Sequence, residues 1–247
     1  DAQESRGLGD VYKRQAFNSV EYGNTSGYFE SEDSIYIIDC GSTVFNEILR
    51  RKLDLSKTIN LIITHTHTDH IGSVGTFVEY SYFALGKKLN IYCAKEIESS
   101  LITILLASGV TDEMYNIHSH HNNTLDVDEN INITFYEVNH VDTLKAFAIV
   151  LDEKENDRQL IYSGDINNYD DLKEMFISMI YKNVSSIYLD FSLNNSPVHE
   201  NSLENLEQII ELFENSNIYL MHLDNTIEEY EWKLRKHYSD KKVKVAK

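Results

Sequence analysis

At 247 residues, with 42% hydrophobic and 25% charged side chains, the chain has the material for an ordinary globular core. Its formal net charge of −18 opposes a broad grip on a phosphate backbone, which needs a basic stripe, so no extended nucleic-acid binding is expected. The longest apolar run, Leu101-Ile102-Thr103-Ile104-Leu105-Leu106-Ala107, is far too short to span a bilayer; no membrane association and a cytoplasmic setting are the expectations.

The first residues look foreign to the rest. Asp10-Val11-Tyr12-Lys13-Arg14-Gln15 resembles the translation of a transposon mosaic-end adapter, so 1–15 is read as a non-native N-terminal scar, the alternative being a natural basic arm. On that reading a native first strand is missing, and 16–247 forms one domain, since neither a linker nor a fixed-period repeat interrupts it. Asn24-Thr25-Ser26-Gly27 is a polar turn into an extended segment through Phe29, and Ser34 to Asp39 is a strand apolar enough to be covered on both faces. Ser42 is the expected N-cap of a helix from Val44 to Lys52. Thr58 to Ile63 is the next strand, Ser73 to Leu85 a helix, Leu89 to Cys93 a strand and Lys95 to Ala107 a helix. Cys40 and Cys93 sit at strand ends without metal-ligand spacing and are read as small buried hydrophobes.

Between Val110 and Glu129 the periodicity loosens, and His118, His120 and His121 are assigned to a solvated loop. Ile131 to Val138 is a strand, Phe147 to Leu151 and Gln159 to Tyr162 a pair, and Tyr169 to Tyr181 a helix. Ser186 to Phe191 is a strand, Leu203 to Phe213 a helix, Asn217 to Met221 a strand and Thr226 to Tyr238 a closing helix.

The chemistry concentrates after Leu61-Ile62-Ile63, in Thr64-His65-Thr66-His67-Thr68-Asp69-His70. Extended backbone alternates its side chains, so His65 and His67 point to one side, while a helical turn at Asp69 swings Asp69 and His70 toward a second position. His140, Asp165 and His222 each follow an apolar strand, where loops on one rim of a sheet begin. Five imidazoles and two carboxylates with no thiolate suit two borderline divalent metals: zinc first, with manganese or iron as alternatives. Two such ions, two aspartates and a bridging hydroxide leave a cavity charge of about +1, which would draw in a small anionic phosphodiester despite the acidic surface.

His-x-His-x-Asp-His, then a lone His, a Gly-Asp and a late His, in that order, resembles the metallo-β-lactamase superfamily of metallohydrolases. The resemblance covers the chain from about Ala16 onward. It implies an α/β fold, an αββα four-layer sandwich of two mixed sheets. It also implies that His65, His67 and His140 hold one metal and Asp69, His70 and His222 the other, with Asp165 bridging. Di-iron flavoproteins of this superfamily usually carry Glu where His67 stands, which argues against redox chemistry.

His199, in Pro197-Val198-His199-Glu200-Asn201-Ser202, resembles the accessory histidine of tRNA 3′-end endonucleases (RNase Z), which would protonate the leaving oxygen. The bland alternative is a structural histidine at a helix start. No basic arm for gripping tRNA is present. Asn24-Thr25-Ser26, Asp39 to Phe45 and Thr64 to Gly75 look more like the compact anti-Pycsar cyclic-nucleotide phosphodiesterases of phages and bacteria. That resemblance implies a homodimer in a bacterial host that opens 3′,5′-cyclic nucleotides by attack of a metal-bridging hydroxide, with Asp69 and His199 as catalytic residues. The alternatives are RNA 3′-end processing and, from another class, a non-catalytic protein that sequesters a nucleotide.

Overall fold

A computed structural model describes residues 10–12, 23–194, 196–222, 227–238 and 243–246. The chain divides after Leu125 into two compact units, each built around its own sheet. The sequence reading takes 16–247 as one domain.

The first unit carries a six-stranded sheet in sequential order. β1 (Asp10–Tyr12), β2 (Ser26–Glu30) and β3 (Ser34–Ile38) pair antiparallel. β4 (Thr58–Ile63), β5 (Leu89–Cys93) and β6 (Tyr115–His118) continue it in parallel. β1 thus falls inside the stretch read as a scar and is hydrogen-bonded to β2. Every residue of β3, and all of β4 after Thr58, is buried, as continuous apolar runs in a parallel sheet require. One polar row crosses this apolar sheet. Asn116 donates to Asn90 at 2.9 Å, and Asn90 donates to Asn60 at 3.1 Å.

Helices α1 (Val44–Arg51), α2 (Thr68–Ile71), α3 (Val74–Glu79) and α4 (Lys95–Ala107) complete the unit. α1 buries Val44, Phe45 and Ile48, and α4 buries Ile97, Leu101 and Leu105, the stripes expected of helices covering a sheet. The sequence expectations fail at three points here. Ser42 is not the cap of α1: Thr43 holds that position without a side-chain cap bond, and its hydroxyl is tied to Asn24 instead. The helix read through Leu85 changes to a π-helical segment, Tyr80–Ala84. His118 lies in β6 rather than a loop, because its ring stacks on Tyr92 of the neighbouring strand at 4.6 Å, a cross-strand contact that local periodicity does not reveal.

The second sheet has seven strands in the order β13-β12-β11-β10-β9-β8-β7. These are β7 (Thr124–Asp126), β8 (Ile131–Val138), β9 (Ala146–Glu153), β10 (Arg158–Tyr162), β11 (Val184–Asp190), β12 (Asn217–Met221) and β13 (Val243–Val245). β8, β9 and β10 pair antiparallel, and β10 to β13 run parallel. β8, β10, β11 and β12 therefore all end on one rim, where loops gather at the carboxyl ends of strands. A 3₁₀ turn, Tyr169–Leu172, leads into α5 (Lys173–Met179); α6 (Leu203–Leu212) and α7 (Ile227–His237) follow. β7 and β13 were absent from the sequence reading, each being only three residues long. Among the described residues, no helix is long and apolar enough to cross a membrane.

Cys40 and Cys93 are buried free thiols, and burial pushes both up to about 12. At pH 8 the folded protein then holds a thiolate fraction on the order of one in ten thousand per cysteine. A disulfide-exchange reagent is expected to leave both unreacted in the native protein and to titrate both in denaturant. Rapid labelling of the native chain would contradict this burial.

Candidate metal centre

In the first unit, β3 and β4 are parallel neighbours in register Ile38↔Ile62, so the residues just past their ends meet. Asp39 follows β3 with φ of 60°, a left-handed conformation that a β-strand end does not ordinarily take. Its carboxylate is fully buried and accepts from Thr64 N at 2.8 Å, Thr64 Oγ1 at 2.7 Å and His70 Nδ1 at 2.8 Å. Burial pushes the Asp39 carboxyl up, while the charge and hydrogen bond of His70 act in the opposite direction. A carboxylate on Nδ1 turns Nε2 of the same ring outward as the ligand atom, the arrangement common behind metal-bound histidines.

The four candidates of the first unit come together. His65 Nε2 lies 3.1 Å from His67 Nδ1, the His65 and His70 rings are 4.0 Å apart, and His70 Nε2 lies 3.5 Å from Asp69 Oδ2. The turn that presents Asp69 and His70 is α2, with His67 at its N-cap position. Backbone contact holds it: Cys40 N donates to His70 O at 2.6 Å, and Ser73 N donates to Cys40 O at 3.0 Å. Gly41 permits that approach, because a Cβ there would stand 1.7 Å from Asp69 O. Gly41→Ala is expected to force Asp69 off its position and lower turnover about a hundredfold, the usual consequence of a displacement near 1 Å at a reacting centre. Steady-state kinetics on the purified variant checks this, and near-normal turnover would show that the loop yields freely.

In the second unit, His140, Asp165 and His222 follow β8, β10 and β12 on the shared rim. Asp165 Oδ2 lies 3.2 Å from His222 Nε2 and 3.6 Å from His140 Nε2. His140 Nδ1 donates to Val198 O at 2.9 Å, which again leaves Nε2 as the outward atom. His222 has φ of 55°, a second left-handed residue at a strand end.

Sequence reasoning missed Asp190, the last residue of β11 and fully buried. Its Oδ2 accepts from His199 Nδ1 at 2.7 Å and from Ile166 N at 3.0 Å, and its Oδ1 lies 3.9 Å from His222 Nδ1. Burial raises the Asp190 carboxyl. For His199, burial pulls the imidazole down, but the adjacent Asp190 outweighs it and holds it above the usual histidine range. Also missed was buried Glu200, which takes Tyr169 N and Asn205 Nδ2 on one oxygen and Asn201 N and Ser202 N on the other, fixing the loop that carries His199. Asp39 and Asp190 share a signal, an aspartate closing an apolar strand, which is the feature that singled out Asp165.

These donor sets suit metal ions. Bonds of about 2.0–2.1 Å in a tetrahedron put neighbouring donor atoms about 3.3 Å apart. The four donor separations within the units, 3.1, 3.5, 3.2 and 3.6 Å, all lie close to that edge length.

Solved structures show the fold. The metallo-β-lactamase fold protein YhfI from Bacillus subtilis aligns with a TM-score of 0.77 at 19% identity, covering 97% of this chain and 95% of its own. A diphosphatase from the PhnP family aligns with a TM-score of 0.68 at 17% identity, covering 90% and 81%. Two mixed sheets with covering helices are the metallo-β-lactamase fold of these neighbours, and strand-end histidines and aspartates form clusters that could hold a metal ion. The family described as anti-Pycsar protein Apyc1 matches residues 13–243, and the chain belongs to it. The anti-Pycsar protein Apyc1 of Bacillus phage vB_BsuM-Goe3 is 26% identical over 243 residues, 91% of this chain and 89% of the phage protein.

Proposed function

We propose that the chain is a phosphodiesterase that opens 3′,5′-cyclic nucleotides, using two divalent metal ions, zinc first among them. The observation that carries this reading is the family match over residues 13–243, to anti-Pycsar proteins. His65, His67 and His140 would hold one ion and Asp69, His70 and His222 the other, with Asp165 shared; the ions would supply Lewis acidity toward phosphoryl oxygens and a water acidic enough to ionise near neutrality. The chain's own residues do the rest. Asp39 and the Val198 carbonyl hold His70 and His140 with Nε2 outward. His199 places a proton near the departing ester oxygen, and the Asp190 carboxylate on its Nδ1 favours the protonated ring. The substrate is a small anionic phosphodiester, and the working form is a homodimer in the bacterial cytoplasm.

Incubating metal-loaded protein with a panel of 3′,5′-cyclic mononucleotides, beside a labelled pre-tRNA, tests the reading. Turnover of at least one cyclic nucleotide and none of the tRNA is expected. Cleavage of the tRNA alone would make it an RNA-processing enzyme, and tight nucleotide binding without product would make it a sequestering protein. His199→Ala is expected to lower cyclic-nucleotide turnover about a hundredfold, within the span of general-acid contributions. Retention of full turnover in that variant would remove the acid. Light scattering should give about twice the 28.6 kDa chain mass.

A further inference from the structure

In the first unit, the groove between α2 with α3 on one side and α4 on the other holds a cavity of about 390 Å³. That volume lies toward the lower end of the span that takes small ligands. Val74, Leu101 and Leu105, all buried, give the cavity an apolar lining. One wall is made by Thr66 and Thr68, the residues on either side of His67. His65 and His67 meet at 3.1 Å on one side of the loop, and Thr66 between them turns to the other. The cavity therefore backs onto the loop that carries the donors. Its polar groups are uncommitted. Among the described residues, the hydroxyls of Thr66, Thr68 and Thr76 and the carboxylate of Glu79 have no hydrogen-bond or ion-pair partner in the protein. Ser108 Oγ, also in the lining, is already spent on Leu105 O at 2.8 Å. No Lys, Arg or His is among the described residues that line the space.

We propose that this cavity is an effector site for a small organic cation, a protonated amine on an apolar body, seated with its charge on Glu79. An anion is disfavoured twice, by the facing carboxylate and by a chain of net charge −18. A neutral apolar molecule would take water from Glu79 and return no partner. An ammonium group returns a charge-assisted hydrogen bond, and the threonine hydroxyls accept its remaining N–H groups. The occupant bears on the donor loop through Thr66 and Thr68. Thr68 opens α2, the turn that carries Asp69 and His70, and its carbonyl accepts from Gly72 N at 2.7 Å. Bracing that turn from behind couples the cavity to the metal centre. The assignment goes beyond the phosphodiesterase reading and does not depend on it.

Ligand-observed NMR titration of the full chain with benzylamine, phenethylamine and hexylamine tests the site. Carboxylates and alcohols built on the same apolar bodies serve as the anionic and neutral comparisons. At least one amine is expected to bind about tenfold more tightly than its carboxylate and its alcohol. Glu79→Gln, which keeps the shape and removes the charge, should weaken that amine about tenfold. Thr76→Trp, at an exposed position on the lining, fills the cavity and should abolish binding. A melting temperature near that of the wild type marks each variant as folded. No binding by any amine, equal binding of amine and carboxylate, or undiminished binding in Thr76→Trp would each overturn the assignment. Binding that appears only on dilution to monomer would also overturn it, giving the groove to a second copy. Zinc affinity reads the coupling: saturating amine should raise it about fivefold in the wild type and leave it unchanged in Glu79→Gln. Zinc affinity indifferent to the amine in both proteins would overturn the effector role.

Discussion

Asp69→Ala is expected to lower phosphodiester turnover by about a thousandfold, with metal content per folded chain falling in step. Asp69 is the one member of the first unit's set that presents a carboxylate, and it does so from a side chain still partly exposed, 3.5 Å from His70 Nε2. Its loss would remove a proposed ligand without opening a cavity, so the melting temperature of metal-free protein should hardly move. Turnover, elemental analysis and a thermal melt on one preparation separate these effects. A variant that kept its metal and lost only a few-fold in rate would assign Asp69 to structure.

Asp39→Ala should act through both stability and chemistry. It strands Thr64 N, Thr64 Oγ1 and His70 Nδ1 without their acceptor at a fully buried point. Unsatisfied buried donors cost about 1–3 kcal/mol each, so a loss of about 3–5 kcal/mol is expected after partial relaxation. For a chain of this size that lowers the melting temperature by about 10 °C. Metal affinity should fall about 10–100-fold as well, since His70 loses the group that orients it. Asp39→Asn separates the two: an amide still accepts from Thr64, so most of the stability returns while the deficit in metal affinity persists. A melting temperature within about 2 °C of wild type for the alanine variant would refute the buried network.

The donor-rich loop and its strand were readable because two chemical signals coincide there. A continuous apolar run fixes β4 as a covered strand, and four donors within six residues have few other uses. The same coincidence of strand end and donor picked out His140, Asp165 and His222. Asp39 and Asp190 carry the same strand-end signal but were not assigned, because the partners that give them a role are tertiary. Asp39 turns toward Thr64 and His70 through a left-handed φ, and Asp190 gains its histidines from segments that follow it by 9 and 32 residues. The short strands β6, β7 and β13 escaped for a related reason: each is held by its neighbour in the sheet more than by its own pattern. Ser42 failed as a cap because its hydroxyl points at the Thr68 carbonyl, a partner 26 residues away.

The asparagine row across β4, β5 and β6 acts as a vernier for the chemistry at the end of β4. Asn60 precedes His65 by five residues of strand and strand end, and a slip of one residue in that strand would turn both His65 and His67 to the opposite face. Apolar side chains resist such a slip weakly, since Ile and Leu fill one another's places at little cost. Amides resist it better: Asn60, the buried end of the row, forfeits its hydrogen bond to Asn90 when displaced, although Asn116 at the other end is exposed. Residues with no chemical duty of their own thereby hold the phase of a site one strand's length away, and substitutions at Asn60 or Asn90 would be felt first as misaligned histidines rather than as a weaker sheet.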